Sequence, residues 1–124
     1  MAALTQSVSI ENDGDIAVIT INNPPVNALS YHVRQGILDG MTNAAADESV
    51  KGIVLVCDGR TFIAGADITE FSQAPKPPSL GGAQAAMEDC TKPVVAAIHG
   101  TALGGGLEVA MCAHYRVAVA DARF

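Results

Sequence analysis

The sequence predicts an α/β fold, a single domain in which parallel strands alternate with helices. Three observations lead there. After Ser30, short unbroken Val/Ile/Leu runs alternate with amphipathic stretches at helical spacing, the pattern of βαβ units. Before them comes a hairpin signal, two aliphatic runs separated by a polar turn. Hydrophobic residues make up 49% of the chain and aromatic ones 4%, so the core is built from aliphatic side chains. The 124 residues hold one domain, or part of one, and have no room for two cores.

Each element has its own signal. Val8-Ser9-Ile10, a polar turn at Asn12-Asp13-Gly14 and the run 16–21 predict two paired strands, the second well buried. Asn22-Asn23-Pro24-Pro25 ends that pair, since proline cannot donate to a ladder. Ser30 is placed to cap a helix whose stripe, Val33, Ile37, Met41 and Ala44, continues to about 46. Gly36 and Gly40 weaken that helix but leave room for close packing. The run 53–57 predicts a buried parallel strand. A loop over 58–66 then leads to Asp67-Ile68-Thr69-Glu70, the spacing of a capping box with Asp as the cap. Pro75-Lys76-Pro77-Pro78 is a stiff connector. Beyond it the pattern predicts a helix over 80–90, a strand at 94–98, a glycine turn, a helix from about 105 and a strand at 115–119. Met87 and Met111 are expected in the core.

Composition excludes several function classes. Seven basic against 13 acidic residues give a net charge of −6, which argues against a nucleic-acid binder. Cys57, Cys90 and Cys112 are odd in number and widely spaced, so neither a disulfide framework nor a metal site is indicated. The first residues have no basic, apolar leader pattern. Residues 94–113 are nearly all apolar and long enough to cross a bilayer. Three consecutive glycines, His99 and Glu108 argue against a membrane span there.

Two segments carry chemistry. One is the small-residue loop Ala64-Gly65-Ala66-Asp67, which feeds a capped turn. The other is the turn Gly100-Thr101-Ala102-Leu103-Gly104-Gly105-Gly106-Leu107-Glu108, with four glycines. Small residues let a ligand reach the main chain, and helix N-termini present unpaired N–H groups. Two such ends facing one another would hold an oxyanion between backbone donors, which suits the enolate of a thioester. The same glycines would also serve tight packing alone. Glu108 lies in the first helical turn among apolar neighbours, so desolvation and the helix dipole would oppose each other on its carboxyl. Such a group can act as a general acid or base. Asp67 reads first as a cap, and His99 and His114 as structural.

The stretches 62–68, 92–100 and 104–108, in that order, resemble the enoyl-CoA hydratase/isomerase (crotonase) family. With Asn23-Pro24-Pro25-Val26-Asn27-Ala28-Leu29 and the proline-rich connector, the closest likeness is to the N-terminal part of bifunctional enzymes of fatty-acid β-oxidation. The resemblance implies a crotonase-like spiral of ββα turns, with 1–124 the N-terminal part of one such domain, cut before its C-terminal helices. The Ala66 and Gly105 N–H groups would form the oxyanion hole. Val26, Ala28, Ala64, Asp67 and Ile68 would line the CoA site, and Glu108 would be one of two catalytic glutamates.

The activity so implied is reversible hydration of a trans-2-enoyl-CoA to a 3-hydroxyacyl-CoA, with Δ3-Δ2 isomerisation as a second activity. The partner is the acyl-CoA substrate, together with an oligomer or a fused 3-hydroxyacyl-CoA dehydrogenase region in the complete protein. No cofactor is expected in this chain, and NAD only where that dehydrogenase follows. The expected compartment is the cytoplasm of a bacterium, with the peroxisome as the alternative. Two departures stand out: Thr69 occupies a position where many relatives carry Lys near the CoA phosphates, and the second glutamate would lie beyond Phe124. A weakly active or non-catalytic CoA-binding fragment, and a thioesterase, decarboxylase or dehalogenase on the same oxyanion hole, are the alternative readings. Glu108 favours the hydratase.

Overall fold

The computed structural model describes residues 1–65 and 67–124. It shows one mixed sheet of six strands in sequence order, β1 (Ala2–Thr5), β2 (Val8–Asp13), β3 (Ile16–Ile21), β4 (Gly52–Cys57), β5 (Val94–Ile98) and β6 (Tyr115–Ala118). The first three strands run antiparallel and the last three join on in parallel. Among the described residues three helices complete it, α1 (Tyr31–Ala46), α2 (Leu80–Glu88) and α3 (Gly105–Cys112), with a 3-10 helix at Ile68–Ser72.

The parallel register aligns Ala17, Ile19 and Ile21 of β3 with Ile53, Leu55 and Cys57 of β4, and Ile53 and Leu55 in turn with Val94 and Ala96 of β5. All of these are buried, while the intervening Val18, Thr20, Val54, Val56 and Val95 are only half-buried. The sheet is therefore buried on one face. The unbroken aliphatic runs had predicted cover on both faces, as parallel strands usually have. Strand β6 is exposed along its whole length.

Helix α1 lies against β1, β2 and β3, α2 against α1, and α3 against α2. Its stripe of Val33, Ile37, Met41 and Ala44 is buried, as the periodicity predicts. The two glycines on that face are required by contact. A Cβ at Gly36 would sit 2.3 Å from Val8 Cβ, and one at Gly40 2.7 Å from Ile19 Cδ1. Burial of these aliphatic side chains, at about 25 cal/mol per Å² of apolar surface, holds the layers together.

Both ends of α1 are tied by distant residues. Ser30 is the N-cap residue, yet its hydroxyl makes no capping bond. The Tyr31 N–H donates instead to Glu70 Oε2 at 2.7 Å. At the C-terminus, Lys92 Nζ donates to the carbonyls of Ala44 (2.7 Å) and Asp47 (2.6 Å), placing a cation at the negative end of the dipole. His99 and His114 are structural, as expected. His99 Nε2 meets Gly59 O at 2.8 Å, and Val94 N donates to His114 Nδ1 at 2.9 Å.

The structure corrects three local expectations. Asp67 caps the 3-10 helix by accepting from Thr69 N at 3.0 Å, but Glu70 does not fold back to complete a box, because α1 and Arg34 claim its carboxylate. Met87 is buried, whereas Met111 faces outward, 66% exposed. Strand β1, which the sequence pattern does not announce, carries no alternation in its Ala-Ala-Leu-Thr sequence and is held by pairing with β2 and by packing on α1. The stretch 94–113 divides into β5, a turn and an eight-residue helix, and no helix among the described residues is long and apolar enough to cross a membrane.

Candidate active site

The two glycine-bearing loops of the sequence lie side by side, stitched by main-chain bonds. Phe62 N donates to His99 O at 2.7 Å and Leu103 N to Ile63 O at 3.1 Å. Thr61 Oγ1 both donates to Thr101 O (3.0 Å) and accepts from Thr101 N (2.8 Å). On the other side, Ala64 N donates to Val26 O at 3.0 Å. Three loops, 22–29, 58–65 and 99–105, thus meet where parallel strands end, the usual ligand side of such sheets.

Asn27 fixes the first of these loops. Its backbone is left-handed (φ 53°), and the side chain is buried. Its Nδ2 donates to Asp58 O (2.9 Å) and Thr61 O (2.8 Å), while Oδ1 accepts from Asn23 N at 2.7 Å. The sequence signal was available, since Asn tolerates left-handed turns better than most residues.

Around this junction opens a cleft of about 930 Å³, lined by Leu29, Gly65, Asp67, Leu80, Gly105 and Glu108, with Tyr31, His32, Arg34, Thr69, Glu70 and Lys76 among the rest. Of the predicted site residues, the structure brings Asp67, Gly105 and Glu108 to one cleft. Val26, Ala28 and Ala64 are half-buried and do not line it, and Ile68 projects outward, 74% exposed. Ala66 lies outside the described residues.

The consecutive glycines of the turn have separate tasks. Gly104 takes a left-handed φ of +57° that turns the chain into α3. Gly105 opens the helix, and no acceptor among the described residues meets its N–H. Gly106 packs on the neighbouring loop so tightly that a Cβ there would lie 2.0 Å from Ile63 O. The Gly105 N–H, without an acceptor among the described residues, lies at a helix N-terminus beside a loop of small residues, an arrangement that can receive a negative oxygen.

Glu108 stands one turn further on, and its Oε2 accepts from Gln84 Nε2 at 3.3 Å. It is exposed, which corrects the burial expected from its apolar sequence neighbours. The other cleft carboxylates are committed: Asp67 caps the 3-10 helix and Glu70 pairs with Arg34 Nη1 at 2.9 Å. Arg34 also donates to the carbonyls of Leu29, Pro78 and Lys76, which ties the 3-10 helix and the proline connector to the start of α1. This Arg34–Glu70 tie was hidden from sequence reading by a separation of 36 positions. Among the described residues no group of His, Cys, Asp and Glu could hold a metal ion.

Comparison with known proteins agrees with this architecture. The enoyl-CoA hydratase/isomerase family profile matches residues 11–124. A peroxisomal bifunctional enzyme of Danio rerio is 47% identical over 108 residues, covering 87% of this chain and 15% of that protein. A probable enoyl-CoA hydratase of Bacillus subtilis (strain 168) is 42% identical over 130 residues, covering 94% of this chain and 48% of that protein. The solved structure of Pseudomonas aeruginosa DspI superposes with a TM-score of 0.85 at 32% identity, over 95% of this chain and 51% of that one. The chain therefore spans about half the length of the Bacillus and Pseudomonas proteins and about a seventh of the Danio protein.

Proposed function

Because the chain belongs to the enoyl-CoA hydratase/isomerase family, we propose that its cleft binds the thioester end of an acyl-CoA and serves the reversible hydration of trans-2-enoyl-CoA in fatty-acid β-oxidation. The observation that carries this reading is the free Gly105 N–H beside Glu108 in one cleft. Water adds its oxygen to C3 while Glu108 accepts the proton released, and the electron pair of the double bond moves onto the thioester oxygen. The Gly105 N–H, with the Ala66 N–H as its proposed partner, stabilises that enolate oxygen. Return of a proton to C2 from a second acid, the role the family resemblance gives to its second glutamate, completes the 3-hydroxyacyl-CoA. Val26, Ala28 and Ala64 support the loops that receive the carrier. The same site would shift a Δ3 double bond to Δ2. The name of the Danio rerio relative, a peroxisomal bifunctional enzyme, extends the proposal to a fused bifunctional protein of the peroxisome; a dehydrogenase region using NAD, and the bacterial cytoplasm as the other compartment, are what the family resemblance adds to it.

The test is hydration of a trans-2-enoyl-CoA by the protein as its gene encodes it, followed by loss of the conjugated thioester absorbance. Glu108→Gln is expected to lower kcat by about 10²–10⁴ while leaving KM nearly unchanged, because a general base acts on the transition state and not on carrier binding. Unchanged turnover would remove Glu108 from the mechanism. A second reading has its own observation. With Asp67 and Glu70 engaged, Glu108 is the one carboxylate among the described cleft residues with neither a capping role nor an ion pair, which favours acyl-CoA binding with weak turnover by these 124 residues alone. That reading expects binding of the saturated acyl-CoA without hydration of the enoyl ester.

A further inference from the structure

We infer that Lys76 is the contact for a phosphate of the acyl carrier's nucleotide end, a role that rests on the acyl-CoA reading above. Two cationic side chains with fixed charge, Arg34 and Lys76, line the cleft. The Arg34 guanidinium is spent: Nε, Nη1 and Nη2 donate to Pro78 O, Leu29 O, Glu70 Oε1 and Lys76 O. Lys76 Nζ has no carboxylate or carbonyl partner among the described residues and rests 5.3 Å from the centre of the Tyr31 ring. The residue sits in the connector Pro75-Lys76-Pro77-Pro78, whose prolines limit backbone freedom and whose carbonyls at 76 and 78 are held by Arg34. A stiff, anchored backbone and a cation–π contact hold the ammonium in place without neutralising it.

The surrounding charges make this group distinctive. The chain carries a net charge of −6, which by itself repels a polyanionic carrier. The two carboxylates nearest in sequence do not quench Lys76, because Asp67 faces the Thr69 N–H and Glu70 faces Arg34. The Lys76 ammonium, unpaired among the described residues, is therefore attached to the wall formed by α1 and the connector, whereas Glu108, which accepts from Gln84, is attached to the wall formed by α2 and α3. A ligand with phosphates at one end and a neutral reacting thioester at the other matches that division. Thr69 supplies no charge, so Lys76 takes the electrostatic part of carrier binding.

Calorimetric titration of the chain with CoA, 3′-dephospho-CoA, pantetheine and inorganic phosphate tests this, alongside Lys76→Ala, Lys76→Arg and, as a remote exposed control, Lys51→Ala. Lys76→Ala is expected to weaken CoA binding about five- to tenfold at low salt, with the difference shrinking as salt rises. Lys76→Arg should restore affinity, Lys51→Ala should leave it unchanged, and pantetheine should bind both wild type and Lys76→Ala equally. A loss confined to CoA names the 3′-phosphate, and a loss shared by dephospho-CoA names the diphosphate. If wild type binds CoA and Lys76→Ala binds it equally well, the inference is overturned while the acyl-CoA reading stands. Inorganic phosphate displacing nothing from Lys76 while pantetheine binds as tightly as CoA would overturn it too. Should wild type bind neither CoA nor pantetheine, the acyl-CoA reading falls and takes this inference with it.

Discussion

Replacing Gly106 by alanine sets two effects of known size against each other. In a helix interior alanine is favoured over glycine by about 1 kcal/mol, so propensity alone predicts a more stable protein. The structure predicts the reverse. A Cβ at position 106 would lie 2.0 Å from Ile63 O and 2.8 Å from Ile63 C, both backbone atoms of the neighbouring loop, where ordinary contact begins near 3.4 Å. No side-chain rotation relieves this, so the loops must part by more than an ångström. Overpacking of this kind costs about 1–3 kcal/mol. Loss of the Leu103 N–H to Ile63 O bond adds about 1 kcal/mol. After subtracting the propensity gain, Gly106→Ala should be destabilised by about 1–3 kcal/mol, which lowers Tm by about 5–15 °C in a domain of this size. Circular dichroism melts and urea titrations measure it. Gly81→Ala is the control, because a Cβ there would meet only Ser79 Oγ at 3.7 Å and should stabilise slightly. Since Gly105 is displaced with its neighbour, Gly106→Ala should also weaken acyl-CoA binding. A Gly106→Ala chain as stable as Gly81→Ala would refute the packed junction, and with it the reason for placing the Gly105 N–H in the site.

The remaining expectations concern the ties around the cleft. Arg34→Met removes a partly buried ion pair and three carbonyl contacts, so it should cost about 2–3 kcal/mol. Hydrogen exchange should then accelerate at Tyr31 and along the 3-10 helix, and unchanged protection would show that Glu70 holds α1 unaided. Lys92→Met uncaps two carbonyls at the end of α1 and should cost about 1–2 kcal/mol in urea denaturation. The Cys57 thiol is pushed up from 9.0 to about 12, first by burial and then by the Asp58 charge. A raised folded value means its contribution is complete below 9.0 and is lost as pH rises toward 12, because the unfolded chain releases its proton first. The thiol should stay unreactive to disulfide reagents near neutral pH until the chain unfolds, and Cys57→Ala should flatten the alkaline fall in stability.

Elements whose stability is local were legible in the sequence, and elements completed by distant partners were not. The stripe of α1 and the aliphatic runs of β3, β4 and β5 state their own burial, because periodicity at 3.6 residues and unbroken branched residues are properties of the segment itself. Strand β1 exists by pairing, and the cap of α1 comes from Glu70, 39 positions away. A local rule names Ser30 for that cap, and Ser30 does occupy the N-cap position. Its Oγ is instead at 3.4 Å from Asn23 Nδ2, which belongs to the turn network around Asn27. The same limit explains Glu108: apolar neighbours in sequence suggested burial, but Val109 and Ala110 turn inward while Glu108 turns out.

The glycine turn shows where sequence reading stops. As a string, Gly104-Gly105-Gly106 admitted either tight packing or ligand access as its reason. The structure assigns both, to different residues: a left-handed bend at Gly104, an unpaired N–H at Gly105 and a backbone contact at Gly106. Those roles depend on one another. Without the bend, α3 would not begin at Gly105; without the close contact, Ile63 O would not meet Leu103 N, and the loop preceding Asp67 would not lie beside the helix end. On the proposed function, a substitution at Gly106 is expected to act on binding through geometry, and one at Glu108 on the hydration step with the geometry intact. Comparing Kd for a saturated acyl-CoA between Gly106→Ala and Glu108→Gln separates the two, with loss expected only in the first.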